Sequence, residues 1–436
     1  MKLVRFLLAT LLLASGLAAE TWTVDRAVAV ALENNPDSRM ARHRIEAAQA
    51  MIQQADSAWM PRVFITGGYT RSNSALVGLT FAMNQRSFQF GPDLNHPGWL
   101  DDLNVSGTAI YNLYSGGQAT ARRDAARAGT RASEHDLRSV QQQLAAEVVK
   151  VMLNLRKARE GVTSLEASLK SYEATVANAR LRFDAGQMLK ADLLSLEVQT
   201  ARTRTMLSAA RNGAALAART FTFVLGNDPT DDPVELAEND PTLAGLNAPL
   251  TSDFLQRPEI LGLQERLAAA EAMVEAARGA RRPSVNAFVS GQYDRGWHFD
   301  SDASSLTGGV AVNFSIFDGG LNSGRIRQAV AELAQVKDQL RKATLGIGLE
   351  VEQARLAHAD AIERLAVTEE AVAQAEESAA LSRARFEQGA LLTAELIGSE
   401  SRLIEMQMSH TLAVSDERIA LIELHRALGL PLIPQS

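Results

Sequence analysis

The feature that most constrains this chain is a short segment that occurs twice, 203 positions apart. The first copy reads Ala179-Arg180-Leu181-Arg182-Phe183-Asp184-Ala185-Gly186 and the second Ser382-Arg383-Ala384-Arg385-Phe386-Glu387-Gln388-Gly389. In each, an Arg-Phe-acid-x-Gly segment closes a long run of heptads, and another run starts a few residues later, at Asp192-Leu193 or Glu395-Leu396. Two helical runs joined so briefly can only lie antiparallel. Gly186 and Gly389 are therefore expected to be the bends of two very long helical hairpins.

Backward from Phe183, the positions Ala179, Val176, Tyr172, Leu169, Leu165, Val162, Ala158, Leu155, Val151, Val148 and Leu144 alternate steps of three and four. That spacing is the seam of a coiled coil. Past the bend it resumes at Leu193, Leu196, Thr200, Thr203, Leu207, Ala210, Ala214, Ala217, Phe221 and Val224. The rising arm, from about Ala119 to Phe183, would be on the order of 100 Å long at 1.5 Å per residue. No ordinary globular core is that long.

The displacement of 203 holds along the whole hairpin: Gly116-Gly117 falls on Gly319-Gly320, Asp192 on Glu395, and Leu225-Gly226 on Leu428-Gly429. The chain is a tandem duplication, with internal pseudo-symmetry expected in its architecture. Its expected organisation is a segment 1–19, a first repeat over 20–226 (helix, strand pair, hairpin), a linker over 227–250, a second repeat over 251–430 and a tail, 431–436. The linker, rich in acids and prolines, reads as solvated.

Lys2 and Arg5, an apolar core from Phe6 to Leu13 and the small residues Ala14 to Ala19 form a secretory signal peptide, too short to anchor in a bilayer. With no Cys there is no lipidation site and no disulfide. The formal charge of −7 becomes about −9 once Lys2 and Arg5 are removed, and no basic patch is present, so nucleic acid is not an expected partner.

In the first repeat a helix stops at Asn34-Asn35 and another starts at Pro36; Arg257-Pro258 is the counterpart. These helices end at Pro61 and Pro283, and beyond them the period changes to two. Val63, Ile65 and Tyr69, then Leu103, Val105, Ala109, Tyr111 and Leu113, alternate with small or polar residues. So do Val285, Ala287, Val289 and Tyr293, then Val310, Val312, Phe314 and Ile316. Runs of this length and dyad pattern suit transmembrane β-strands with one wet side. A closed barrel needs about eight strands or more, so four per chain imply several copies sharing one barrel, in a dimer or a trimer. The loops between paired strands, Arg71 to Asp102 and Asp294 to Leu306, differ by 19 residues and suit an extracellular face. Trp297 and His298 in the second read as interfacial or loop-packing residues rather than ligands. Gly116, Gly117, Gly319 and Gly320 sit where period two gives way to heptads and read as sheet-to-helix joints.

Chemistry is sparse. The seven His show no metal spacing, and Asp228, Asp231, Asp232 and Glu235 lack the Asp-x-Asp-x-Asp-Gly pattern of a calcium loop. No Cys nucleophile, Gly-x-Ser-x-Gly or complete phosphate loop occurs. Neither catalysis nor a cofactor is expected.

With helix, strand pair and hairpin in order and repeated, the chain resembles the TolC-like outer-membrane factors. The resemblance rests on Val24-Asp25-Arg26-Ala27-Val28 with Ala31-Leu32-Glu33-Asn34-Asn35-Pro36, on the Gly-Gly joints, on both bends and on the endings Leu225-Gly226 and Leu428-Gly429. It implies an α plus membrane-β fold. Three chains would form an α-barrel from the duplicated hairpins, continued by a shared twelve-stranded transmembrane β-barrel with four strands per chain. The product is a homotrimer set in outer-membrane lipid. Its periplasmic tip, formed by Arg182, Phe183, Gly186, Arg385, Phe386 and Gly389, would receive a periplasmic adaptor (membrane fusion) protein and an inner-membrane transporter. The resemblance also places an acid of the closed entrance on Glu395, with Asp192 its match on the first hairpin; a second acidic ring would fall on Gly398 and is missing. The aromatic of the family's polar latch falls on Phe386, which lacks a hydroxyl, and its basic residue on Leu391.

The expected function is an exit duct of the outer membrane, serving a tripartite efflux pump or a type I secretion system and energised by the partner transporter. Two alternatives belong to other classes. A periplasmic adaptor should carry one hairpin with lipoyl-like segments, and a purely structural exported coiled coil leaves the four period-two runs unexplained.

Overall fold

The computed structural model describes residues 21–89, 95–228, 234–237, 240, 242, 245, 247 and 253–432. The segment expected to be a signal peptide, 1–19, lies outside them, as do most of the linker, Asp231 and Asp232 within it, and most of the tail. The elements run α1 (Val24–Asn34), α2 (Pro36–Asp56), β1 (Arg62–Ser72), α3 (Ala75–Asn84), β2 (Leu100–Tyr114), α4 (Gln118–Asp184) and α5 (Lys190–Val224). The second half follows with α6 (Pro258–Gly279), β3 (Ser284–Gly296), β4 (Ser301–Asn313), α7 (Leu321–Glu387) and α8 (Thr393–Ala427).

The duplication is visible in the element bounds. Rising helices α4 and α7 are each 67 residues, return helices α5 and α8 each 35, and every bound of the second hairpin is the first displaced by 203. Each rising helix is about 100 Å long. On the predicted seam Leu144, Val148, Val151, Leu155, Leu165, Tyr172 and Ala179 are buried, as are Leu193, Leu196, Leu207, Phe221 and Val224 across from them. Ion pairs at seven-residue intervals, Arg180–Glu197, Arg204–Glu173 and Arg211–Glu166, mark the antiparallel register on the wet side of the hairpin. Exposed pairs like these contribute little stability, and the apolar seam dominates.

The chain divides into two compact units, and each takes pieces from both repeats. The first comprises Met1–His43, His135–Ile260 and Lys342–Ser436. Its core packs Val24, Ala27, Val28 and Ala31 of α1 against Val148, Met152 and Leu155 of α4 and Phe221 of α5. Val234, Leu236, Ala237 and Asp240 of the linker are bound here rather than solvated, which corrects the sequence expectation for this stretch, while Asn227, Asp228, Glu235, Gly245 and Asn247 are exposed. Trp22 and Leu236 form a parallel bridge, Asp240 accepts from the Val24 amide at 2.6 Å, and Arg156 donates to the Ala237 carbonyl at 2.7 Å. These groups leave water because the Asp240 carboxylate and the Ala237 carbonyl find donors in the packed unit.

The second unit, Arg44–Glu134 and Leu261–Arg341, holds one antiparallel sheet in the order β1-β2-β3-β4. The register gathers the predicted apolar residues on one face: Val63 opposes Ala109, Tyr69 opposes Leu103, Val105 opposes Tyr293, and Ala287 opposes Val310. The other face carries most of the polar residues, with Thr108 and Ser290 hydroxyls 2.9 Å apart and Asn104 donating to Asp294 at 2.8 Å, beside Phe64, Ile110 and Phe288.

Two loop expectations change. The second loop is not Asp294 to Leu306, because β3 runs on to Gly296 and β4 starts at Ser301, leaving only a tight turn. Phe314 and Ile316, predicted in the fourth strand, follow its end. The first loop contains helix α3, which packs Phe81 and Ala82 inward, and Gly78 fits so closely that a Cβ there would lie 2.7 Å from Leu100 Cδ1. Trp297 packs edge-on to Tyr69, as expected of a loop-packing residue.

Candidate functional site at the two helical bends

Both bends are Schellman turns. Gly186 and Gly389 take φ of 70° and 74°, a left-handed conformation that an L side chain resists. Gly186 N–H donates to the Phe183 carbonyl at 2.9 Å and Gln187 N–H to Arg182 at 2.8 Å; Gly389 and Ala390 repeat this toward Phe386 and Arg385 at 3.0 and 2.9 Å. These bonds satisfy the last carbonyls of α4 and α7 and let each return helix start within a few residues.

A small apolar cluster ties the two bends together. Ala179, Leu193, Leu196, Phe386 and Leu396 are buried in it, with Phe183, Met188 and Leu391 packed against them. Arg182 reaches across from the first hairpin. Its Nη1 donates to the Phe386 carbonyl at 2.8 Å, Nη2 donates to the Glu387 carbonyl, and the guanidinium lies 5.5 Å from the Phe386 ring. The cation thus sits at the negative end of α7, where the helix dipole favours it. Phe386 is 8 % exposed. Buried under Arg182, it gains from lacking a hydroxyl that would need a partner.

The structure does not bring all the expected residues together. Asp192 and Glu395 lie in the first turns of α5 and α8, a position that favours an acid, and neither forms an ion pair with another described residue. Glu395 is exposed and Asp192 half-buried. Arg385 is exposed on the last turn of α7. Gly116, Gly117, Gly319 and Gly320 belong to the second unit, all with φ between 64° and 90°. At Gly116 a Cβ would also lie 2.5 Å from the Gly279 carbonyl oxygen, so glycine is required twice over. At the other joint Asp318 accepts from Gly320 and Asn322 amides at 2.9 and 3.0 Å, bonds that hold its carboxyl below the usual range.

Sequence reading missed the struts behind the bends. Arg180 pairs with Glu197 and Arg383 with Glu400, both at 2.5 Å, closing each hairpin just before its turn. The pairs are related by the same displacement of 203, so aligning the repeats by charge as well as by apolar seam would have revealed them.

Among the described residues no helix is long and apolar enough to cross a membrane, and no cluster of three His, Cys, Asp or Glu could hold a metal. The dyad-patterned sheet beside two tandem hairpins is the fold of an outer-membrane channel. A solved structure of CusC shares it with a TM-score of 0.80, at 20% identity, over 96% of this chain and 95% of that one. So does VceC of Vibrio cholerae, at 0.76, 19% identity, 94% and 97%.

The chain belongs to the outer membrane efflux protein family, whose pattern it matches over residues 27–227 and 253–430. Similar relatives include outer membrane efflux protein BepC of Brucella suis, 26% identical over 95% of this chain and 87% of that protein. Outer membrane protein OprJ of Pseudomonas aeruginosa is 27% identical over 93% and 83%. The protein is an outer-membrane exit channel of an efflux system, and the adaptor and purely structural readings lapse.

Proposed function

We propose that three copies of this chain close one twelve-stranded barrel in the outer membrane and one α-barrel in the periplasm, through which solute passes without any reaction on the protein. The observation that carries this reading is the open sheet. β1 and β4 are each paired on one side only, and apolar side chains project from the sheet uncovered: Val63 is 71 % exposed, Ile65 78 % and Leu306 79 %. In hydrocarbon an unpaired edge is prohibitive, so the edges must meet those of other copies. Three chains of four strands give twelve, within the range of single-walled barrels.

In this reading the two repeats are joined through the linker at an equatorial belt. The bends, with Arg182, Phe183, Gly186, Arg385, Phe386 and Gly389, form the periplasmic tip that a periplasmic adaptor protein contacts, and an inner-membrane transporter supplies the energy. The transporter belongs to a tripartite efflux pump or a type I secretion system and selects the cargo. Three Glu395 carboxylates converge at the entrance, with Asp192 behind them. Like charges held close attract cations and favour their passage. Gly398 adds no second ring.

The test is single-channel conductance of detergent-extracted protein in a planar bilayer, for wild type and Glu395→Ala, with and without divalent cations. A cation-selective conductance that divalents lower in wild type, and not in the variant, is the expected outcome. Identical behaviour of the two would remove Glu395 from the entrance, and silence that persists after both bends are deleted would remove the duct.

A further inference from the structure

We propose that Arg385 of one copy clasps the first bend of the next copy, donating its guanidinium to the Phe183 and Asp184 carbonyls across the interface between chains. This rests on the trimer proposed above. Within one chain the first hairpin holds the second through Arg182, which donates to the Phe386 and Glu387 carbonyls at the end of α7. The displacement of 203 carries Arg182 onto Arg385, and it relates Phe386 to Phe183 and Glu387 to Asp184. A contact from first hairpin to second is heterologous, and in a closed ring it must be answered by one from second hairpin to the next first. The chain carries the donor and both acceptors for that answering contact.

Among the described residues neither side of it is saturated. Arg385 is exposed, and its guanidinium makes no hydrogen bond or ion pair with another described residue. The Phe183 carbonyl accepts only from Gly186, at 2.9 Å, whereas the Phe386 carbonyl accepts from both Gly389 and Arg182. An oxygen with two lone pairs has room for the second donor. The aromatic rings differ in the same sense: Phe386 is buried beneath Arg182, while Phe183 stays half-open where the matching guanidinium is absent. The C-terminal carbonyls of α4 also carry the negative end of its dipole, which suits a cation. Six arginine clasps, alternating within and between chains, would then encircle the tip.

The chain has no Cys, so paired cysteines report contacts without background. The full chain in detergent, carrying Arg385→Cys with Asp184→Cys, is treated with a short bismaleimide and run on a denaturing gel, with the unlinked protein sized in parallel. Arg182→Cys with Glu387→Cys is the control and should link within one chain. The expected result for the test pair is a shift from the one-chain band to the three-chain band, with much weaker linking for Arg385→Cys with Arg180→Cys, one turn back. If the control links and the unlinked protein sizes as three chains, but the test pair stays at one chain or links no better than the turn-back pair, the clasp is overturned and the trimer stands. Sizing as a single chain would overturn both.

Discussion

Arg257 shows how much a single side chain holds in the first unit. It is 4 % exposed at its side chain, pairs with Glu259 and Glu350 at 2.8 Å each, and donates to the Ala427 carbonyl at 3.1 Å. Burial would favour the neutral form, yet Glu259 and Glu350 keep the guanidinium firmly charged. Arg426 and Lys150 extend the network through Glu350 and Glu423. In the first repeat Asn35, also just before a proline, donates to the Val224 carbonyl at 2.9 Å, so each return helix is capped by the residue that opens an incoming helix. The endings Leu225-Gly226 and Leu428-Gly429 were legible in the sequence, and this contact explains their glycines. Beyond positive φ, a Cβ at Gly226 would lie 2.6 Å from the Asn34 carbonyl carbon, and one at Gly429 2.8 Å from Arg257 Cγ. Arg257→Met should lower stability by about 3 kcal/mol, the lower part of the range for a broken buried pair because both carboxylates keep some water. Thermal unfolding in detergent, followed by far-UV circular dichroism, checks this; an unchanged midpoint would make the network ornamental. An arginine before proline reads as solvated, so its burial was not legible from sequence.

At the scale of elements, the hairpins were almost wholly legible, because a heptad seam and a glycine stop are local signals that survive any tertiary context. The loop between β1 and β2 was not. Gln85, just past α3, is fully buried, and its Nε2 donates to the Asp101 carbonyl and to Asp102 Oδ1 at 2.9 Å each. The Gln85 backbone carbonyl accepts from Ser301 Oγ at 2.7 Å, and the Asp101 carboxylate accepts from the amides of Trp297 and His298. The helix is therefore fastened to the turn between β3 and β4 by polar groups, which leave no periodic trace in the sequence. Gln85→Leu strands the Asp102 acceptor and should loosen α3 by about 1–3 kcal/mol. Limited proteolysis of the β1–β2 loop in intact protein should speed up while the hairpins stay resistant; an unchanged cleavage rate would contradict the anchor. The outer ends of β3 and β4 escaped notice for a related reason. Asp294 opposes Ala303 and Arg295 opposes Asp302, pairings made by backbone hydrogen bonds without an apolar face to announce them.

For the whole molecule, the two faces of the sheet carry opposite demands. Val289 lies on the apolar face, 51 % exposed, and Ser290 on the polar face, beside Thr108. If lipid covers the first and water the second, Val289→Lys should destabilise the assembly by about 2–4 kcal/mol, as charges do at the lipid face of a barrel. Ser290→Lys should leave assembly intact and shift ion selectivity toward anions. Comparing the temperature at which oligomers dissociate in detergent with conductance tests both, and equal destabilisation would contradict the two-faced sheet. The sequence by itself determined the duplication, the hairpins, their bends and the alternation of the strands. All of these follow from side-chain period and glycine conformation, which are properties of neighbouring residues. Only the tertiary structure decided that Asp240 and Ala237 of the linker are bound, that Gln85 and Arg257 are buried hubs, and that Arg182 holds the second bend while the Arg385 guanidinium has no partner among the described residues. Those depend on which distant groups meet, and a buried polar side chain is placed by its partners rather than by its period.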